Sequence, residues 1–404
     1  MPDLESVVIV GASLAGLRAA NALRRQKFRG RVTLIGAEPH LPYDRPPLSK
    51  QILLGKWEPE RAALITPEDL AKLDLDLRLG RRAASLDTKA SAVTLDDGTD
   101  VTYDALILAT GATPRMLPGT PRLPGIEVLR TMEDCLHIRA ALEAGARVAV
   151  VGGGFIGAEV AAAARMRGLP VTMIEMLSQP LERALGPKIG AAAAAIQLAH
   201  GVDLRLNTGV TGFEGGQRVE RVLLDGGEAV EADLVVVGVG VRPETAWLEG
   251  SGLELRDGVV CDQYLRAGPP GVYAAGDVCR WFNPLFGEEM RVEHWTSAVE
   301  QGMAAARNIL AGPDAAKPYA SVPYVWSDQY DVSIQYVGHA RGDDDLMVKH
   351  GSIESGSFVA LYGRAGRLMA AVGFNMPRLL NDYRRFIAEG ASMERALAHV
   401  PEED

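Results

Sequence analysis

The sequence predicts an α/β fold with two dinucleotide-binding units and a smaller α+β domain at its C-terminal end, on three observations. The first is a glycine-rich turn, Gly11-Ala-Ser-Leu-Ala-Gly16, after the apolar run Val7-Val8-Ile9-Val10, with Glu38 following Val32-Thr33-Leu34-Ile35. The second repeats that pattern. Gly152-Gly-Gly154-Phe-Ile-Gly157 follows Val148-Ala149-Val150-Val151, and Glu175 closes Val171-Thr172-Met173-Ile174. Strand, glycine turn, helix, strand and acid make the Rossmann-like unit, which seats a pyrophosphate on a helix N-terminus and a ribose on a carboxylate. One match is weak, because glycine turns also serve plain strand-to-helix packing. Two in one chain, each with its acid about 20–30 residues on, imply two dinucleotides and electrons passing from one to the other. The third observation is the stretch from about Ser321 onward, which alternates like strands (Val332-Ser-Ile334-Gln-Tyr336) and ends in an amphipathic helix near Arg378–Glu389.

Bulk properties narrow the function. A chain of 404 residues has room for two or three domains, each with its own core. Its 47% hydrophobic and 23% charged content is ordinary for a globular enzyme. A net charge of −10 argues against a general nucleic-acid binder. The chain opens almost directly on a strand pattern, and no apolar run approaches the roughly 20 residues of a membrane span, so the expected setting is the cytoplasm. Cys135, Cys261 and Cys279 stand far apart without a Cys-x-x-Cys pair, which predicts buried inert thiols. No histidine or carboxylate cluster falls at metal spacing, so no metal is expected and the chemistry must come from bound cofactors. No heptad or apolar patch indicates an oligomeric state.

Along the chain, the first unit runs into Leu41–Lys50, a segment whose prolines keep it from being helical throughout. A helix-like stretch near Pro67–Leu73 and alternating strands with an Asp97-Gly98 hairpin turn come next. Leu106-Ile107-Leu108 reads as a buried strand running into Ala109-Thr110-Gly111. Pro114, Pro118, Pro121 and Pro124 then mark a crossing linker. The second unit extends from near Arg147 to Leu234-Val235-Val236-Val237. Gly271–Asp277 is another short apolar strand with an acid at its end, and Glu293–Leu310 reads as a helix stopped by Gly312-Pro313. The second unit is thus inserted into the first. Residues 1–113 and 239–320 form one discontinuous domain, 114–238 the second, and 321–404 the third.

The order and spacing of several short motifs are more specific. Arg45-Pro-Pro-Leu-Ser-Lys50, Ala109-Thr-Gly111, Leu129-Arg-Thr131, the second glycine motif, Gly276-Asp277, Glu293-His-Trp295 and Trp326-Ser-Asp-Gln-Tyr330 all occur in sequence. With them the chain resembles the FAD-dependent NADH:ferredoxin reductases of bacterial oxygenase and cytochrome P450 systems, the putidaredoxin-reductase-like group of the pyridine nucleotide-disulfide oxidoreductase superfamily. The resemblance covers essentially the whole chain. It implies a glutathione-reductase-like fold, with FAD held in the first unit and NADH in the second. The implied partner is a [2Fe-2S] ferredoxin that feeds a P450 or Rieske oxygenase.

The resemblance also implies site residues. For FAD these are Gly11, Ser13, Leu14, Ala15 and Gly16 at the pyrophosphate and Glu38 at the ribose. Arg45, Lys50, Ala83, Ala109, Thr110, Gly111 and Arg130 lie along the cofactor, Gly276 and Asp277 at the ribityl chain, and Trp295 beside the isoalloxazine. Ser13 replaces the usual middle glycine and fits only if its backbone angles stay allowed. For NADH the residues are Gly152, Gly154, Phe155, Ile156 and Gly157, with Gly238 near the nicotinamide end. Glu175 would bond the adenosine ribose and repel a 2′-phosphate. Met176 follows it where NADPH sites place arginine, although Arg183 lies further along. Lys50 and Glu159 form the implied catalytic pair, with the lysine near flavin N5 and Glu159 also among the NADH residues, the pair holding nicotinamide and flavin in register. A carboxylate on the apolar helix face Val160–Ala164 would cost several kcal/mol if buried unpaired, so a partner is expected.

A flavin also resolves a counting problem, since NADH delivers two electrons at once and an iron–sulfur protein accepts one. Residues 39–60 contain no cysteine. That disfavours the disulfide reductases, oxidases and peroxidases that share this fold. A reductase of small acceptors of the monodehydroascorbate or quinone type stays open. So does a redox-responsive binding protein like the apoptosis-inducing factors. Ferredoxins are normally acidic, so docking needs local positive charge. Arg18–Arg31, without an acidic residue, and Arg364, Arg367, Arg378, Arg384 and Arg385 are the two candidate surfaces.

Overall fold

Val7, Val8, Ile9 and Val10 are all buried, as a strand covered on both faces requires. In the computed structural model, which describes residues 4–400, strand Ser6–Val10 pairs in parallel with Arg31–Gly36 on one side and Ala105–Leu108 on the other. Asp76–Leu79 and Val272–Ala274 complete a five-stranded parallel sheet. The pairing of Val272–Ala274 with Ala105–Leu108 brings distant parts of the chain into one core. Chain contacts divide the molecule into two compact units. One runs to Asp44 and includes Ala63–Thr113 and Arg242–Tyr324; the other comprises Arg45–Ala62, Pro114–Val241 and the chain from Val325.

In the first unit, helix Leu14–Arg25 lies against helix Trp295–Ala315. The two meet backbone to backbone, because a Cβ on Gly302 would run into the Ala15 carbonyl. Helix Trp295–Ala315 breaks at Gly312 (φ 74°), just before Pro313. The stretch near Pro67 forms a short helix, Pro67–Ala71, capped by the Thr66 hydroxyl. Gly98 (φ 83°) turns the hairpin between Ala92–Leu95 and Asp100–Thr102.

The second unit repeats the parallel arrangement. Val148–Val151 pairs with Val171–Ile174 and Leu234–Val237, flanked by Asp203–Arg205 and Ile126–Glu127. Its C-terminal part is a five-stranded sheet in the order Tyr324–Gln329, Val332–Gly338, Arg367–Phe374, Ser357–Arg364, Asp345–Ser352. The pairings from Val332–Gly338 through Asp345–Ser352 are antiparallel. One face of this sheet does not form a separate core. Ile334, Tyr336, Phe358 and Tyr362 pack with Leu185, Ile189, Ala192 and Ala193 of helix Glu182–Ala199. The Tyr362 hydroxyl donates to the Leu185 carbonyl at 2.7 Å. Helix Pro377–Ala388 seats Leu380 against Gly373, where any side chain would collide with it. All three cysteines are buried and unbonded. Among the described residues, no helix is long and apolar enough to cross a membrane.

The contact at Gly302 gives the first test. Gly302→Ala should push the two helices apart at a cost of about 1–3 kcal/mol, by overpacking. A lower midpoint in chemical denaturation is the expected result; an unchanged midpoint would mean the helices separate freely.

Candidate functional site

Parallel pairing puts the carboxyl ends of the strands at one edge, where open α/β sheets bind ligands. In the first unit that edge carries Gly11–Gly16, Glu38, Ala109–Gly111 and Gly276–Asp277. Gly11 has φ 121°, and a Cβ there would strike the Ala109 carbonyl; one on Gly16 would strike the Gly11 carbonyl. Strand, turn and helix therefore touch through the main chain alone. Ser13 has φ −115° and ψ −158°, ordinary extended backbone, so the serine is accommodated without strain. It stands at the N-cap of helix Leu14–Arg25, yet its side chain caps nothing, and the first turn holds no acid. Helix Met132–Glu143 is the contrast, closed by a capping box between Thr131 and Asp134. The first helix keeps its N-terminal donors for an anion.

The other first-unit residues surround this turn. Gly276 lies beside Ala15 and donates its N–H to Gln301 Oε1 at 2.8 Å, placing Asp277 in the following short 3₁₀ turn. The Thr110 hydroxyl donates to the Glu244 carbonyl at 2.9 Å, and Gly111 takes φ 73°. The Tyr43 hydroxyl donates to Glu38. The segment leading to Ala83 is tied to the same edge by bonds from Gly80 N–H to the Glu38 carbonyl and from Arg81 N–H to the Gly36 carbonyl. Trp295 is half-buried, and its indole N–H donates to Asp44 at 2.7 Å.

The second unit repeats the cradle. Gly152 has φ 102°, and a Cβ on Gly157 would strike the Gly152 carbonyl. Gly154 caps helix Phe155–Met166 without a side chain, and the first turn again holds no acid. A Cβ on Gly154 would find only the Gly238 carbonyl, at 4.0 Å; one on Gly238 would meet nothing closer than 3.7 Å. A Cβ at either glycine would thus make only ordinary van der Waals contact, without the clashes found at Gly152 and Gly157. Glu175 accepts from Gly153 N–H at 2.6 Å and from Leu177 N–H at 2.8 Å, so its carboxylate is held beside the turn. Ile156 is 45% exposed, whereas Phe155 packs against the C-terminal core. Met176 and Arg183 are exposed.

Arg45, Lys50 and Arg130 belong to the second unit, not to the first with the other residues assigned to FAD. Arg45 donates to the Arg130 carbonyl, and Cys135 Sγ donates to the Leu48 carbonyl at 3.1 Å, pinning the loop. Lys50 Nζ lies 2.7 Å from Glu159 Oε2. Glu159 is 3% exposed on the apolar face of helix Phe155–Met166. Two more donors reach it: Ser49 Oγ at 2.5 Å to the same oxygen, and Ser327 Oγ at 2.7 Å to Oε1. Sequence reasoning passed over both serines, although Arg45–Lys50 and Trp326–Tyr330 contain them. A serine within a motif carries no sign of which carboxylate it will face.

The two basic stretches fare unevenly. Arg24 is taken up by the carbonyls of Phe28, Gly30, Leu73 and Asp74 and is not available for docking. Arg364 forms a two-pronged pair with buried Asp344, and Arg385 pairs with Asp382. Arg25, Lys27, Arg29 and Arg31 remain exposed.

Comparison with known proteins agrees with this geometry. Residues 5–302 match the family model "Pyridine nucleotide-disulphide oxidoreductase", and residues 324–404 match "Reductase C-terminal". The chain is 41% identical over 393 residues to the ferredoxin–NAD(+) reductase component of an anthranilate 1,2-dioxygenase system from Burkholderia cepacia, covering 95% of this chain and 94% of that protein. It is 34% identical over 397 residues to putidaredoxin reductase of Pseudomonas putida, covering 96% and 93%. The crystal structure of a covalent putidaredoxin reductase–putidaredoxin complex superposes with a TM-score of 0.93 at 33% identity, over 98% of this chain and 96% of that one. The chain belongs to the pyridine nucleotide-disulphide oxidoreductase family.

Removing one member of a buried pair leaves the other charge without its counterion. Lys50→Met should cost about 3–5 kcal/mol, and adding Glu159→Gln should recover part of that loss. Chemical denaturation of the purified protein measures both; losses that simply add would show that the two residues do not act as a pair.

Proposed function

From this membership we propose that the protein is the NADH-dependent, FAD-containing reductase of an oxygenase system, delivering electrons to a [2Fe-2S] ferredoxin for a P450 or Rieske oxygenase. One observation carries the reading. Two helix N-termini, each without a side-chain cap and with no acid in the first turn, each follow a turn whose first and last glycines pack directly on main chain, and the strand after each helix leads to an acid, Glu38 or Glu175. Those are the donors and the space that two pyrophosphates need. Bound FAD would supply the chemistry that couples a two-electron hydride donor, NADH, to a one-electron acceptor.

The chain's residues would hold these groups as follows. In the domain made of residues 1–113 and 239–320, amides of Gly11, Ser13, Leu14, Ala15 and Gly16 meet the FAD pyrophosphate, and Glu38 takes its ribose. Asp277, beside Gly276, accepts a ribityl hydroxyl. Ala83, Ala109, Thr110 and Gly111 offer main-chain contacts, and Trp295, steadied by Asp44, shields the ring. Arg45 and Arg130 balance phosphate charge. In the domain of residues 114–238, Gly152, Gly154, Phe155, Ile156 and Gly157 would receive the NADH pyrophosphate, and the backbone at Gly238 would pass close to the nicotinamide end. Glu175 selects the unphosphorylated ribose: an anion fixed by two amides binds hydroxyls and repels a phosphate. Lys50, held by Glu159, would supply one positive charge to a bound flavin and would favour negative charge on it. Residues 321–404 form the third domain. Three unbonded thiols suit a reducing compartment and support a cytoplasmic setting.

The first test is NADH-driven reduction of cytochrome c, with NADPH in parallel. Added [2Fe-2S] ferredoxin should raise the rate to saturation. If NADH bleaches the flavin but several ferredoxins give no increase, either the cognate ferredoxin is missing from the set or the acceptor is a small molecule, and quinones are tested next. Glu175→Arg tests the cofactor choice. It removes charged hydrogen bonds to the ribose and should raise the apparent KM for NADH about 10- to 100-fold while improving use of NADPH. Unchanged use of both nucleotides would overturn the assignment of Glu175.

A further inference from the structure

The two oxygens of Glu159 are held differently. Oε2 takes Lys50 and Ser49, adjacent residues at the end of the 3₁₀ turn Pro46–Ser49. Oε1 takes Ser327, which comes from a separate element, the strand Tyr324–Gln329. Ser327 is wholly buried, and so is Gln329, two residues on and therefore on the same face of the strand. Behind Ser327 stands a chain of polar groups. The Gln329 amide donates to Ser327 Oγ at 3.3 Å, and the Gln197 amide donates to Gln329 Oε1 at 2.9 Å. The Tyr330 hydroxyl donates to Gln197 Oε1 at 3.0 Å.

Every link points the same way. Ser327 has one hydroxyl proton, which goes to the carboxylate, so it can only accept from Gln329. That orients the Gln329 amide, and the Gln329 carbonyl oxygen in turn orients Gln197. The chain is a row of aligned dipoles ending on an anion, an arrangement in which each bond strengthens the next. Gln197 also donates to the Ala158 carbonyl at 3.3 Å, one residue before Glu159, which closes the network on the helix that carries the carboxylate. At the other end, Tyr330 stacks on His200 with ring centroids 3.6 Å apart.

We infer that Ser327 is a positioning residue for the Lys50–Glu159 pair, and that Gln329, Gln197 and Tyr330 hold its hydroxyl on the carboxylate. Without that hydroxyl, Oε1 has no donor, the carboxylate turns about its terminal bond, and the lysine ammonium moves with it. The inference rests on the reading that Lys50 acts beside the flavin. The Ser327 hydroxyl bonds to Glu159 and Gln329 and not to the glycine turn or Glu175, so NADH binding should not depend on it.

The test uses the full-length, FAD-loaded protein, reduced by NADH in an anaerobic stopped-flow instrument, with the flavin potential measured by spectroelectrochemistry. Ser327→Ala should lower the limiting reduction rate about tenfold, the equivalent of one hydrogen bond to a charged group. The NADH dissociation constant should stay within about twofold, and the potential should move in the same direction as in Lys50→Met. Ser327→Thr, which keeps the hydroxyl, should restore both. In the Lys50→Met background, Ser327→Ala should add nothing. An unchanged rate and potential in Ser327→Ala, or losses that add in the double variant, would overturn the inference while leaving Lys50 in its role. If Lys50→Met itself changes neither quantity, the reading of Lys50 fails and the inference falls with it. Should Ser327→Ala not retain FAD, Gln329→Leu is read the same way, since it keeps the hydroxyl but removes the amide that orients it.

Discussion

Main-chain atoms meeting with no side chain between them are the constraint on which both nucleotide sites depend. Gly11 lies on the Ala109 carbonyl and Gly16 on Gly11; Gly157 lies on Gly152. These contacts draw each helix N-terminus, which has no side-chain cap, up to the carboxyl end of a parallel strand. A methyl group at any of these positions would separate helix from strand and move the donors away from where a pyrophosphate must sit. The helices that carry these donors forgo caps that others in the chain possess, such as the Thr131 box. That absence destabilises the bare protein slightly and leaves the site ready for an anion.

The Lys50–Glu159 pair illustrates a different economy. A buried ion pair is weak evidence for stability, because desolvating two charges consumes most of what their attraction returns. Here the carboxylate has both oxygens occupied, by an ammonium and two hydroxyls, and one hydroxyl is itself supported by a buried polar chain. So much polar structure in a core built from alanine and valine is better explained by a need for one defined position than by stability. The C-terminal sheet has a part in this, since its strand Tyr324–Gln329 supplies Ser327 and its apolar face completes the core over helix Glu182–Ala199.

Surface charge followed the opposite course. Arginines that look free in a list of basic residues are often committed to carbonyls or carboxylates, as Arg24 and Arg364 are. Counting charge along the chain overstates what a partner could meet.

Both strand–turn–helix units, their acids, the hairpin at Gly98 and the helix break at Gly312 were legible in the sequence. Each is set by residues near one another in the chain: β-branched runs, glycines that must take positive φ, a proline that ends a helix. The pairing of Lys50 with Glu159 was legible only through resemblance, because the two lie 109 positions apart in the chain. Ser49, Ser327, Gln329 and Gln197 were not legible as a network at all. Hydroxyls and amides serve as caps, turns and surface groups equally well, and only the folded chain decides which donor faces which acceptor. The sequence by itself determined where the backbone could approach a nucleotide, since that depends on missing side chains. Tertiary structure alone decided how the buried carboxylate is held, since that depends on atoms that meet only after the strands and helices have packed.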